Sequence, residues 1–161
     1  MIFLTVGTQF PFDRLVRDVD NFLDEHELGE EVFAQIGSSS YKPRHFEAVA
    51  ALEKEAFDQY FRQASAIIGH AGMGTITMAL DYGKPLLAMP RRKKHGEVVN
   101  DHQVALADEF EAIGHILVAH NPSELATKLT QLKSFVPKPR VADVEAVAER
   151  IRSFVKSINN R

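Results

Sequence analysis

Three glycines lie where a predicted strand passes directly into a predicted helix. The stretch GHAGMGT, residues 69–75, follows the apolar run ASAII and precedes ITMALDYGKP. Glycine has no Cβ and tolerates positive φ, so its backbone can approach another group closely. A helix N-terminus adds free N–H groups and the positive end of the helix dipole. We therefore expect the N–H groups of Gly72–Thr75, together with the Thr75 hydroxyl, to cradle a phosphate.

Tight packing between strand and helix is the alternative explanation of these glycines, with His70 as a partly buried side chain. This stretch alone leaves both explanations open. The stretch is not the loop of P-loop nucleotide hydrolases, because Thr75 and Ile76 follow Gly74 where that motif needs Lys and then Ser or Thr. P-loop hydrolysis is therefore disfavoured.

A second loop, GTQFPFD, follows the first predicted strand and offers the N–H groups of Gly7 and Thr8 to a ligand. A simple turn is the alternative interpretation of its single glycine. The loop lacks the G-x-G-x-x-G pattern of dinucleotide-binding domains. This mismatch disfavours an NAD-dependent oxidoreductase.

A third loop, PRRKKHGEVVNDHQ, spans residues 90–103 and is strongly polar. Arg91 and Arg92 would offset the charge of a pyrophosphate, while Asp101 and Gln103 would bind sugar hydroxyls. The alternative is a solvated charged surface, the usual explanation of a charge run. The position of the loop after a strand, next to the expected ligand edge, favours the binding interpretation.

Two other uses of this third loop are disfavoured by its composition. A metal site would need His95, Asp101 and His102, whose spacing is poor for coordination. A nucleic-acid surface would need aromatic platforms or a wider basic face, and neither accompanies the loop. We therefore expect no metal and no nucleic-acid partner.

Length and composition limit the protein class further. The 161 residues suffice for one domain, 1–161, and the formal net charge of −3 gives no bulk attraction to nucleic acid. The absence of cysteine excludes disulfides and thiolate metal sites and fits a cytoplasmic protein. No run reaches the ~20 apolar residues that cross a bilayer, so no transmembrane segment is expected.

Apolar runs alternate with segments of helical periodicity along the whole chain. Asp13 is the predicted N-cap of the first helix. The predicted strands cover 1–6, 31–37, 46–52, 66–69, 85–90 and 115–119, and the predicted helices cover 13–28, 55–63, 75–82, 104–113, 122–132 and 143–158. This alternation predicts an α/β fold with a mainly parallel sheet and helices on both faces. Ligands of such sheets bind outside the carboxyl ends of the strands, where the three loops lie.

The motifs in these loops carry a resemblance that spans the chain from about Phe3 to Ala107. The segment ASAIIGHAGMGTITMALDYGKPLLAMPRRKKHGEVVNDHQVALA, with FLTVGTQFPFDRL before it and QIGSSSYKP between, resembles the carboxyl-terminal, donor-binding domain of family 28 glycosyltransferases. It is most similar to the stand-alone subunits of two-subunit transferases. These include the catalytic subunit of the lipid-linked chitobiose transferase and bacterial exopolysaccharide and capsule counterparts.

The resemblance implies a Rossmann-like domain, the C-terminal half of a GT-B fold. It also implies an inverting, metal-independent hexosyltransferase that needs no cofactor and uses a UDP-sugar as its donor substrate. A membrane-associated, acceptor-binding subunit would bring the lipid-linked or polysaccharide acceptor and recruit the cytoplasmic chain to the inner face of the membrane. A non-catalytic nucleotide-sugar-binding or regulatory subunit is the alternative. The general base is not identifiable from the sequence.

Site residues follow from the resemblance position by position. Gly7, Thr8 and the 72–75 loop would meet the diphosphate, whereas Asp101, His102 and Gln103 would reach the sugar and its neighbouring phosphate. Glu97 and Asn100 belong to a GExxNDHQ variant of bacterial members and are further site residues. Many relatives carry a ribose-binding glutamate where this chain has Met78, so either Glu97 replaces it or nucleotide recognition differs. The complete predicted donor-binding set is Gly7, Thr8, His70, Ala71, Gly72, Met73, Gly74, Thr75, Arg91, Arg92, Glu97, Asn100, Asp101, His102 and Gln103.

Overall fold

The computed structural model describes residues 1–140, 149 and 152. Strands alternate with helices in the order that the sequence predicts. The strands are β1 (Ile2–Thr5), β2 (Val32–Gln35), β3 (Glu47–Val49), β4 (Ala66–His70), β5 (Leu86–Met89) and β6 (Leu117–Val118). The helices are α1 (Asp13–Glu25), α2 (Lys54–Gln63), α3 (Met73–Asp81), α4 (His102–Ala112) and α5 (Pro122–Leu132), with a 3₁₀ turn at Lys93–His95.

The six strands form one parallel sheet in the order β3-β2-β1-β4-β5-β6. The chain runs outward from β1 in one direction and then returns to add β4 on the other side. The crevice between such neighbouring strands, at their carboxyl ends, is where open α/β sheets bind ligands. The registers Thr5↔Gln35, Thr5↔Gly69 and Gly69↔Ala88 bring those ends to a common edge.

Strands β1, β4 and β5 are buried on both faces, because side chains alternate across the sheet and helices cover each side. Ile2 and Leu4 pack into the core under α1 and α5, while Phe3 between them packs into the core under α2, α3 and α4. Ile68 and Ile67 divide between the two cores in the same way. The parallel α/β fold with helices on both faces is therefore confirmed.

Helix α1 corrects two predictions. Its N-cap is Phe12, and Asp13 is the first helical residue. The Asp13 carboxylate caps no helical N–H; it accepts hydrogen bonds from the backbone N–H and the hydroxyl of Ser40. The helix ends at Glu25, because the chain is already extended at His26, so the predicted end at Leu28 is wrong.

Two helices at the ligand edge begin earlier than predicted. Helix α3 begins at Met73 rather than Thr75, and α4 begins at His102 rather than Val104. Polar and glycine residues obscure both beginnings in the sequence, since neither adds to the apolar periodicity. As a result, both helices direct N-terminal turns toward the carboxyl edge of the sheet.

The remaining differences concern the lengths of two strands and the final helix. Strands β3 and β6 are shorter than the apolar runs 46–52 and 115–119 that predict them. The predicted final helix, 143–158, lies outside the described residues apart from Glu149 and Arg152, which form an ion pair at 3.0 Å. In the part of the chain that the structure describes, every helix is too short or too polar to cross a bilayer.

Candidate functional site

A cleft of about 720 Å³ opens at the carboxyl edge of the sheet. The last residues of three strands line its floor: Thr5 of β1, Gln35 of β2 and His70 of β4. Arg91, two residues beyond β5, extends the floor on the other side. The cleft therefore lies at the switch point between β1 and β4, where the topology predicts a ligand.

The structure brings ten of the fifteen predicted site residues together in this cleft. These ten are Gly7, Thr8, His70, Gly72, Met73, Gly74, Thr75, Arg91, His102 and Gln103. The other five, Ala71, Arg92, Glu97, Asn100 and Asp101, do not line it. Ala71 is buried, and the other four belong to the outer part of the loop between β5 and α4.

The first turn of α3 presents backbone donors to the cleft. Gly72 is the N-cap in extended conformation, with φ −90° and ψ 143°, and as a glycine it has no side chain to cap the helix. The N–H groups at the beginning of a helix have no partner within the helix. Met73, Gly74 and Thr75 supply those groups and all line the cleft. Their placement matches the predicted phosphate cradle, whose function remains a prediction.

The three glycines of the 69–75 stretch are accommodated for different reasons. A Cβ on Gly69 would lie 3.1 Å from the Thr5 carbonyl oxygen, and one on Gly72 would lie 2.2 Å from His70 Cε1. Packing within the chain therefore explains these two. A Cβ on Gly74 would meet nothing within 4 Å, although Gly74 lines the cleft. Only Gly74 leaves space for something outside the chain.

His70 is enclosed by glycine backbone on two sides. A Cβ on Gly7 would lie 2.7 Å from its Nε2, in addition to the Gly72 contact. Burial and the nearby Arg91 charge lower the pKa of His70 from 6.5 to about 4, so the imidazole is neutral at pH 7. Its Nε2 lies 3.3 Å from the Thr75 hydroxyl, while its Nδ1 is buried without a hydrogen-bond partner.

Arg91 is a buried cation, 3% exposed, beneath the loop that follows β1. Its guanidinium donates to the carbonyl oxygens of Val6 and Phe10, each at 2.7 Å, and lies 4.8 Å from the Phe12 ring centroid. Burial lowers its pKa to about 10, which leaves it charged at pH 7. Its Nε has no partner, and no described carboxylate forms an ion pair with it. The charge remains available to an anion.

The first turn of α4 forms the opposite wall of the cleft. Gln103 is buried, and its Oε1 accepts a hydrogen bond of 3.1 Å from the Arg91 backbone N–H. Asn100 and Asp101 do not reach the cleft, since Asn100 Oδ1 contacts His102 and Asp101 Oδ1 accepts from the Lys93 N–H at 2.7 Å. Two members of the NDHQ segment thus hold the loop, and the other two line the cleft.

Glu97 is committed elsewhere. Its carboxylate forms a two-point ion pair with Arg14, both oxygens at 2.8 Å, and also accepts from the Arg92 N–H. It does not line the cleft, whereas Met78 does. The structure therefore brings no carboxylate from Glu97 to the place of the ribose-binding glutamate that the resemblance leads one to expect.

The charged side chains that line the cleft, among the described residues, are all cationic. Among the described residues that line it, Lys54 and Arg91 are cationic, His70 and His102 are imidazoles, and none is Asp or Glu. With the free donors of the first turn of α3, this lining favours an anionic ligand. Within the described residues, no three His, Asp or Glu side chains converge as metal ligands would.

One wall of the cleft was missed by sequence reasoning. Leu52, Lys54 and Phe57, from the loop before α2 and its first turns, line the cleft together with Gln35. Gln35 is buried, and its Oε1 accepts a 2.9 Å hydrogen bond from the Leu52 N–H. The signal available in the sequence was Gln35 itself, a polar residue that ends a buried strand.

Comparison with known families supplies independent information. Residues 1–159 match the model of the glycosyltransferase family 28 C-terminal domain. A human protein, UDP-N-acetylglucosamine transferase subunit ALG13, is 31% identical over 124 residues, which are 71% of this chain and 10% of that protein. The ALG13 subunit of Candida glabrata is 31% identical over 100 residues, 60% of this chain and 48% of that protein. The chain thus spans at most about half the length of these two relatives.

Solved structures with the same fold include members of several transferase groups. MurG of Acinetobacter baumannii superposes with a TM-score of 0.63 at 22% identity, covering 83% of this chain and 42% of that one. An NMR structure of ALG13 superposes with a TM-score of 0.61 at 19% identity, covering 93% of each chain. At this identity the likeness concerns the fold alone, and it agrees with the predicted Rossmann-like half of a GT-B fold.

Proposed function

The chain belongs to glycosyltransferase family 28 as a C-terminal domain of that family, and we propose that it is the donor-binding subunit of a UDP-sugar-dependent hexosyltransferase. The relatives from human and Candida glabrata are named as subunits of a UDP-N-acetylglucosamine transferase. These names support a UDP-sugar as the ligand of the cleft.

One observation carries this proposal: the cleft offers cations and N–H donors and, among its described lining residues, no carboxylate. A diphosphate is a compact anion that accepts several hydrogen bonds, so it is complementary to such a lining. The buried Arg91 charge supplies long-range attraction, and the first turn of α3 supplies directional donors. A neutral or cationic ligand would not offset the Arg91 charge and would leave N–H donors of α3 without acceptors.

The two ends of the cleft differ, which orients the donor in the proposal. Leu52, Phe57 and Phe61 give the end near α2 an apolar, aromatic surface beside Lys54. His102 and Gln103 add polar groups to the end near α4, beside Val98 and Val99. The flat uracil ring belongs at the apolar end and the sugar, with its hydroxyls, at the polar end. The diphosphate then lies between them, beside Gly74.

In the proposed transfer, an acceptor oxygen forms a bond to the anomeric carbon while the bond from that carbon to UDP breaks on the opposite face. The donors of α3 and the Arg91 charge stabilise the departing diphosphate, whose negative charge increases in the transition state. The acceptor proton passes to a general base. Because the described lining residues include no carboxylate, we assign this base to the acceptor side.

A partner subunit follows from the same proposal. The chain covers only 42% of the MurG chain, and the ALG13 relatives are themselves named as subunits. We propose that a membrane-associated subunit holds a lipid-linked or polysaccharide acceptor and recruits this chain from the cytoplasm to the inner face of the membrane. A non-catalytic, nucleotide-sugar-binding regulatory subunit is the second candidate, favoured by the lack of a carboxylate base in the described cleft.

Calorimetric titration of the full chain tests the proposal. UDP, UDP-N-acetylglucosamine, UDP-glucose and NAD are compared in metal-free buffer, and we expect the uridine nucleotides to bind and NAD not to bind. Preferential binding of NAD would contradict the proposal. A transfer assay with the co-expressed partner then separates the two candidates, since the regulatory alternative predicts donor binding without product.

A further inference from the structure

Three hydrogen-bond acceptors on side chains that line the cleft are already engaged within the chain. Thr5 Oγ1 accepts from the Gly7 N–H at 3.2 Å, and Gln35 Oε1 accepts from the Leu52 N–H at 2.9 Å. The Oε1 atom of Gln103 accepts from the Arg91 N–H. A ligand hydroxyl that donates to one of these three acceptors must share it with a bond that the chain already makes.

Met78 occupies the part of the cleft next to the phosphate-binding turn. It lies one helical turn beyond Gly74 on α3, so both residues lie on the same helix face. Met78, Leu52 and Phe57 all line the cleft and pack against the same hydrophobic core cluster. A sugar joined directly to a diphosphate beside Gly74, on the side of the apolar end, would contact this thioether.

We infer that the cleft does not recognise the 2′-hydroxyl of the nucleoside, so the chain binds 2′-deoxyribonucleoside diphosphates nearly as tightly as ribonucleoside diphosphates. The inference rests on the proposed function and defines its substrate class more closely. A site discriminates against an analogue without a hydroxyl when the loss leaves its own polar groups unpaired. Methionine presents no such group, because its thioether is only a weak acceptor.

The wild-type chain tests the inference directly by calorimetric titration with UDP and with 2′-deoxy-UDP. These probes differ by one oxygen atom, so the ratio of their dissociation constants measures recognition of the 2′-hydroxyl alone. We expect the deoxy compound to bind no more than about threefold more weakly, because no hydrogen bond to a charged group is lost. A ratio above about tenfold would overturn the inference.

A gain of discrimination provides the second test. Met78→Glu places a carboxylate in the same position, and we expect the ratio to rise to about tenfold or more, as for a hydrogen bond to a charged acceptor. Thr77→Glu is the matched control. It adds the same charge to the adjacent residue of α3, which does not line the cleft, so the ratio should stay at the wild-type value.

The outcomes separate this inference from the proposed function. If the wild-type chain binds UDP but binds 2′-deoxy-UDP far more weakly, the proposed function stands and the inference fails. If it binds neither nucleotide, the proposed function itself is contradicted and the inference loses its premise. Should Met78→Glu fail to fold, the wild-type ratio decides alone.

Discussion

Two buried charged side chains in this chain, Asp20 and Arg91, differ in how fully other groups of the chain hydrogen-bond to them. Asp20 of α1 is 0% exposed and accepts four hydrogen bonds, from the Tyr41 hydroxyl, the Arg44 N–H, and the backbone and ring nitrogens of His45. Burial opposes its ionisation, but these donors outweigh burial and lower its pKa below 3.8. Arg91, 3% exposed, keeps an unpartnered Nε and lines the cleft.

The difference separates a structural charge from one that is available to a ligand. Asp20 joins α1 to the loop between β2 and β3, and every donor it meets belongs to the chain. The hydrogen bonds of Arg91 go to two carbonyl oxygens, and the Glu97 charge acts on it only from a distance, without an ion pair. Buried charges are normally paired or fully hydrogen-bonded, so incomplete compensation in a cleft indicates a functional group.

Loss of Asp20 should have the largest effect and should act on stability. Asp20→Ala leaves the Tyr41 hydroxyl and two backbone N–H groups without acceptors, and we expect the free energy of unfolding to fall by about 4 kcal/mol. Denaturant unfolding measures this. Asp24→Ala is the matched control, because Asp24 is exposed, lies on the same helix and contacts the same His45. We expect Asp24→Ala to lower the free energy of unfolding by less than about 1 kcal/mol. An equally small loss for Asp20→Ala would contradict the structural role of Asp20.

Loss of Arg91 should act on ligand binding as well as on the loop after β1, whose Val6 and Phe10 carbonyls it holds. Arg91→Met retains an apolar contact with Phe12 but removes the cation, and we expect UDP to bind about 50-fold more weakly. The adjacent Arg92→Met is the control, since Arg92 does not line the cleft and its loss should change UDP affinity by less than about threefold. Calorimetry that finds the two variants equal would make Arg91 a structural charge like Asp20.

The stability contributed by His70 and that contributed by Asp20 should be lost in different pH ranges. The pKa of His70 falls from 6.5 unfolded to about 4 folded, so the unfolded chain takes up a proton first as pH falls. Stability contributed by neutral His70 is therefore complete above pH 6.5 and is lost between pH 6.5 and 4, whereas that of Asp20 is lost only below 3.8. We expect the His70 part to amount to about 2 kcal/mol.

Denaturant midpoints at pH 7 and pH 4.5 measure this loss as the difference between wild type and His70→Gln, which lacks the titrating ring. If the two proteins lose stability in parallel over this range, His70 is not buried as a neutral imidazole, and the electrostatic description of the cleft floor is wrong.

The smallest expected effect compares two glycines of the same loop. Gly74→Ala adds a methyl group that meets nothing in the chain, so stability should rise by up to about 1 kcal/mol while UDP binds about tenfold more weakly. Gly72→Ala, by contrast, collides with His70 and should lower stability. Unchanged UDP affinity in Gly74→Ala would argue that no phosphate lies against the α3 turn.

Much of this fold was predictable because the signals are local. Buried parallel strands read as continuous apolar runs, as in MIFLTV and PLLAMP, and a glycine with positive φ follows α3 and α4. The helix boundaries at the ligand edge were harder to predict. Met73 and His102 begin helices without any apolar periodicity, and only the backbone geometry of the folded chain reveals those first turns.

The site was predictable in part for the same reason. The glycine stretch and the loop after β1 are contiguous motifs, and both line the cleft. The basic loop was less informative, because Arg91 and Arg92 are indistinguishable as neighbours in a sequence. The chain is still extended at Arg92, beyond the end of β5, so the two neighbouring side chains point in different directions and only Arg91 lines the cleft.

By itself the sequence determined the α/β class, the strands and the glycine loop, because apolar periodicity and backbone freedom are properties of neighbouring residues. Only the tertiary structure decided which charged side chains can interact with a ligand in the cleft. Glu97 is neutralised by Arg14, 83 positions away, and Leu52 reaches the cleft through a strand order that no local pattern encodes. Electrostatic compensation acts through space, so it exists only once the sheet has brought distant segments together.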